Sequence, residues 1–104
     1  MAGKMVGGLG ELQKATAETQ MLINSVRQAA EDQAGQKFEE FKAISFKSQV
    51  VAGINFFVKV EVDVGGGGKF VHLRVYQPLP HTGEPPKLDG IQLNKTADDE
   101  ITYF

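Results

Sequence analysis

The residues of this chain best suited to acid–base or metal chemistry are few, and their spacing argues against an active site. The two histidines, His72 and His81, stand without the paired ligands that a zinc site requires. His72 falls in the middle of an alternating run and reads as a surface residue of a strand rather than a general base. Asp98, Asp99 and Glu100 put three carboxylates side by side, but such adjacency ahead of a short apolar ending fits a solvated edge better than a catalytic pair. There is no cysteine nucleophile, and no serine stands in a Gly-x-Ser-x-Gly setting. The run Gly65–Gly68 followed by Lys69 lacks the Lys-Ser/Thr pair and the helix that a phosphate-binding loop needs, so it reads as a hairpin tip. Neither a metal nor a cofactor is expected, and an enzyme reading finds nothing to rest on.

Composition narrows the classes further. A chain of 104 residues with 41% hydrophobic content suits one domain, 1–104, around a modest core. Its 11 basic and 13 acidic residues leave a net charge of -2 without a basic block, which makes nucleic acid and anionic membranes poor partners. No apolar run approaches the ~20 residues of a membrane span. The start "MAGKMVGGLGELQ" has no apolar signal region, and Ala2 argues against myristoylation. Folding without disulfides suits a reducing compartment. The expectation is a cytoplasmic protein whose sequon, Asn94-Lys95-Thr96, stays bare.

The elements that must carry any functional residues are legible from hydrophobic period. Residues 1–10 contain four glycines and little periodicity, which predicts a flexible N-terminal arm. Thr16 is suited to cap a helix with Glu18 in its first turn; Thr19, Leu22, Ile23, Val26 and Ala30 then share one face, and Gly35 is a natural stop. One helix over 16–34 follows. Beyond it the period becomes two. Ile44, Phe46, Val50, Ala52, Ile54, Phe56, Val58, Val60, Val62 and Val64 all occupy even positions, while most intervening residues are polar. "KFVHLRVYQ" supplies a further strand with Val71, Leu73 and Val75 on one face, and "PLPHTGEPP" is a loop. Leu88–Leu93 is ambiguous, and "DEITYF" reads as a short last strand. An antiparallel sheet with one face packed on one helix makes an α+β fold.

The even-numbered run is far longer than a usual strand of ~5–6 residues, and Gly53 is its one internal breaker. A connection over Gln49–Gly53 leaves Ser48 and Ile54 as flanks of equal parity, so both arms keep their core-facing side. A hairpin with "QVVAG" at its tip satisfies the pattern; a β-bulge or a buried kink satisfies it too. In a meander, that tip and the loop at 78–81 lie at the same end of the sheet. Val50, Val51, Leu79 and Pro80 then form an apolar binding edge on a rigid frame.

The stretches "SFKSQVVAGINFFVKVEV", "FVHLRVYQPLPH", "ATAETQ" and "DEITYF" together resemble the stefins, the intracellular type 1 cystatins, in order and over nearly the whole chain. The resemblance implies a cystatin-like antiparallel sheet wrapped around one long helix. It also implies a reversible, tight-binding competitive inhibitor of papain-like cysteine proteases such as cathepsins. The family's three-part wedge maps onto Val6, Gly7 and Gly8 in "MVGGLGE", onto Gln49, Val50, Val51, Ala52 and Gly53, and onto Leu79, Pro80 and His81. The alternatives are a non-inhibitory protein-binding module on the same scaffold and, less consistent with these residues, a small enzyme. The resemblance further implies a monomer able to form a domain-swapped dimer, because the even parity from Ile44 to Val64 permits an extended chain through Val50 and Val51.

Overall fold

In the computed structural model, which describes residues 8–63 and 69–104, Thr16 opens the helical region as expected. Its Oγ1 accepts from the Thr19 amide at 3.3 Å, while the Thr19 hydroxyl accepts from the Thr16 amide at 3.0 Å, a reciprocal capping box. The expected single helix is instead two segments, α1 (Ala17–Asn24) and α2 (Arg27–Ala34). Between them the Ser25 hydroxyl donates to the Leu22 carbonyl at 2.6 Å, and Val26 leaves helical geometry at φ -116° and ψ 11°. Serine bonding back to the preceding turn is a known cause of such bends. Gly35 closes α2 in the left-handed region, φ 71°. Ile23, Val26 and Ala30 still face one way and are fully or almost fully buried.

Five strands follow chain order in one antiparallel sheet: β1 (Gln13–Lys14), β2 (Lys42–Val51), β3 (Gly53–Asp63), β4 (Lys69–Gln77) and β5 (Lys87–Lys95). The strand β1 was not expected, and β5 resolves the ambiguous stretch around Leu88–Leu93. The long even-numbered run is a hairpin, with Gln49 paired to Asn55, Val50 to Ile54 and Val51 to Gly53. The turn is therefore centred on Ala52 and tighter than a loop spanning Gln49–Gly53. A bulge between Ala43 and Ser45 shifts parity at the start of β2, so Ala43 rather than Ile44 is buried in the core. The connection at 65–68, together with Val6 and Gly7, lies outside the described residues.

One sheet face, carrying Phe46, Val58, Val60, Val62, Val71, Leu73 and Val75, packs on the helices with Phe38 and Phe41. Gln20 ties the two layers, donating to the Phe41 carbonyl at 2.7 Å and accepting from the Ala43 amide at 2.8 Å. The other face is covered as well. Residues 96–104 form no strand; they cross this face with their main chain held by side chains. Lys59 donates to the Ala97 carbonyl and Lys47 to the Ile101 carbonyl, each at 2.7 Å, and Arg74 to the main-chain oxygen of Phe104 at 2.5 Å. Phe57 meets Tyr103 and Phe104 at ring-centroid distances of 5.6 Å and 5.7 Å.

This cover reverses the reading of His72 as a surface residue. Its side chain is fully buried on that second face, opposite Lys59 on β3 and Gln92 on β5. Burial pushes its pKa down to about 4, with Lys95 and Lys59 adding to the effect and Asp99 and Gln92 opposing it. The folded value lies below the ordinary 6.5, so between the two the unfolded chain binds more protons. The stability that neutral His72 contributes is complete above pH 6.5 and declines as pH falls toward 4. From pH 7 to pH 5, urea unfolding is expected to lose on the order of 2 kcal/mol through this residue. His72→Leu should flatten that slope; an unchanged slope would show that His72 is not held neutral.

Candidate functional site

The strand order sets two turns side by side at one end of the sheet: the β2–β3 turn and the β4–β5 connection. Pairing of Ile54 with Gln77 puts the last residue of β4 level with the base of the first turn. The connection then forms a short 3-10 turn, Pro80–Thr82. The Thr82 amide and hydroxyl both donate to the Leu79 carbonyl, at 3.1 Å and 2.8 Å, and Gly83 closes the turn at φ 68°. The N-terminal segment runs toward the same end. Gln13 pairs with Phe46, and the Gly10 amide donates to the Ser48 carbonyl at 2.8 Å, so from Gln13 back to Gly10 the chain follows β2 toward its tip. Gly8, half-buried, precedes this stretch, while Val6 and Gly7 are outside the described residues.

The residues expected from sequence divide into presented and supporting ones. Val50 is 81% exposed, Val51 44% and Leu79 39%, large apolar side chains given to water at one end of the molecule. Ala52, Pro80 and His81 are exposed beside them. Gln49 is different. Its side chain is only 6% exposed and its Oε1 accepts from Asn55 Nδ2 at 2.9 Å, across the hairpin. Gln49 thus braces the turn from inside. Its partner Asn55 was missed by sequence reasoning; once the turn is centred on Ala52, the two fall directly opposite.

Gly53 is the other support. It sits at φ 120°, and a Cβ there would lie 2.6 Å from the Gln77 carbonyl oxygen and 2.9 Å from the Tyr76 ring. Both facts require glycine: the backbone is outside the range of L side chains, and the space is filled. Gly83 shares the positive φ but faces open space. Gly53→Ala is expected to cost about 1–3 kcal/mol in urea unfolding, and clearly more than Gly83→Ala. Equal losses for the two variants would mean that the tip does not rest on residues 76 and 77.

This end of the sheet presents apolar turns, and known proteins share this chain's sequence pattern. The cystatin-domain model matches residues 7–98. Over 100 residues the chain is 52% identical to cystatin-B of Homo sapiens and 51% identical to cystatin-B of Mus musculus, covering 96% of this chain and 99% of each relative. It is 47% identical to leukocyte cysteine proteinase inhibitor 1 of Sus scrofa, over 96% of this chain and 94% of that protein. With a five-stranded antiparallel sheet packed on its helices, and with likeness over almost its whole length, the chain belongs to the cystatin family, in its stefin branch.

Proposed function

We propose that this chain is a reversible, tight-binding, competitive inhibitor of papain-like cysteine proteases, cathepsins among them, that closes the active-site cleft with the turns at one end of its sheet. The observation that supports this most is the joint exposure of Val50, Val51 and Leu79 on two adjacent turns, the first flanked by the paired residues Val51 and Gly53 and the second closed by hydrogen bonds to Leu79 and Pro80. An apolar tip is unfavourable in water and favourable in a cleft that excludes it. Because the turns are already ordered, little conformational freedom is lost on entry. Gly8 and, before it, Val6 and Gly7 extend the wedge as the N-terminal arm, with Val6 filling an apolar subsite and the glycines letting the chain pass close to the protease surface. Pro80 and His81 complete the third part.

The same geometry accounts for resistance to cleavage. Attack requires a carbonyl carbon about 3–3.5 Å from the nucleophile in the correct orientation. A tight turn with Ala52 at its apex fills the cleft without laying an extended peptide bond along it. The inhibitor supplies no catalytic group, and the chemistry stays with the protease. A cytoplasmic setting agrees with a chain that needs no disulfide.

Inhibition of papain and of a panel of cathepsins tests this directly, with the inhibitor recovered intact. Val51→Asp should weaken inhibition by about 2–4 kcal/mol, because a charge would be carried into a desolvated contact. Its unfolding midpoint should stay close to that of the parent, since the side chain is outside the core. A variant that unfolds more easily yet inhibits as well as the parent would contradict the proposed contact.

Exchange of arms between molecules would remove the same turn. The monomer is the proposed active form, and a domain-swapped dimer that straightens the chain through Val50–Gly53 should retain secondary structure and lose inhibition. Size-exclusion fractions, assayed separately after partial unfolding at high concentration, check this; an equally inhibitory dimer would place the hinge elsewhere.

A further inference from the structure

We propose that Tyr76 is a positioning residue for inhibition, clamping the β2–β3 turn to the strand that leads into the second loop; this rests on the inhibitory role of the two turns proposed above. Tyr76 lies near the end of β4, opposite Asn55, on the sheet face that also carries Gln49. Its hydroxyl donates to the carbonyl of Ala52, the residue at the apex of the turn. Its ring occupies the space where a Cβ on Gly53 would project, and the Gln77 carbonyl fills the remainder. The apex is therefore held from outside its own hairpin, by a residue three positions before Leu79.

Without this contact, Ala52 lies beyond the last paired residues of β2 and β3, and its carbonyl would be left to water. With it, the first turn cannot tilt away from β4 unless a hydrogen bond and a ring contact break together. Gln77 continues directly into Pro78 and the 3-10 turn, so the two presented turns move as one body. Two contacts entering a cleft in a preset relation lose less freedom on binding than two that must be brought into line. The loss from removing the clamp should appear as faster escape from the complex, since encounter depends little on local rigidity.

The test uses Tyr76→Phe, which keeps the ring over Gly53 and removes only the donor. The dissociation rate constant from papain is expected to rise about 3- to 10-fold, consistent with loss of one hydrogen bond, at an unchanged association rate constant. The unfolding midpoint should remain near the parent's, and backbone order parameters at Val51–Gly53, measured on the free protein, should fall from strand-like values of about 0.85. A Tyr76→Phe variant with parental dissociation and parental order parameters would overturn the clamp. So would a variant that loses stability with both readouts unaltered, because Tyr76 would then be a purely structural residue. If the parent itself fails to inhibit papain, the proposed function falls, while the order parameters still decide whether Tyr76 fixes the turn.

Discussion

The presented end of this molecule depends on how β2 turns back into β3 at a glycine with no room for a side chain. Gly53 pairs with Val51 at φ 120° and lies against Gln77 and the ring of Tyr76. That contact fixes where the strand ends, and with it which valines remain in the ladder and which reach solvent. Gln49 and Asn55, bonded to each other beneath the turn, satisfy polar groups that would otherwise be buried without partners. Val50 shares the parity of the core face but stands at the end of the hairpin, where it remains exposed, whereas Val51 could reach that face only by a one-residue slip that would turn the whole even-numbered set outward. The apolar tip is thus enforced by the pairing below it.

Stability comes from covering both faces of the sheet. The helices take one, through Ile23, Val26 and Ala30 against Val58, Val60, Leu73 and Val75. Residues 96–104 take the other, and their carbonyls are bonded by Lys47, Lys59 and Arg74 rather than by a neighbouring strand. Arg74 also lies over the rings of Phe57 and Tyr103, at 5.5 Å and 5.0 Å from their centroids. The second layer gives Phe57 and His72 a dry environment at the middle of the sheet, away from the turns. Rigidity at the turns thus rests on a frame that is closed on both sides.

Much of this was legible in the sequence because it obeys local rules. Thr16 and Gly35 bound the helical region through capping chemistry, and period-two alternation identified β3 and β4. Equal parity on either side of the tip allowed the hairpin but could not choose it over a bulge. The remainder depended on contacts between distant segments. The break at Ser25–Val26 leaves the 3.6-residue spacing intact, so periodicity alone does not reveal it. Ile101 and Tyr103 alternate as a strand would, yet the segment is bonded by long side chains from other strands. His72 read as exposed because its cover lies more than twenty residues away. Gln49 belongs by sequence to the tip, whereas its amide is turned inward; Tyr76 carries no sequence signal and is placed beside Ala52 only by the register.

A crystal structure of the complex with papain would measure the central claim most directly. The account predicts Val50, Val51 and Leu79 inside the cleft, the turn geometry of the free protein retained, and no carbonyl of Gln49–Gly53 within attacking distance and orientation of the catalytic sulfur. A protease seated on the helices or on the face covered by residues 96–104, or a tip peptide bond laid out along the cleft as a substrate, would contradict it.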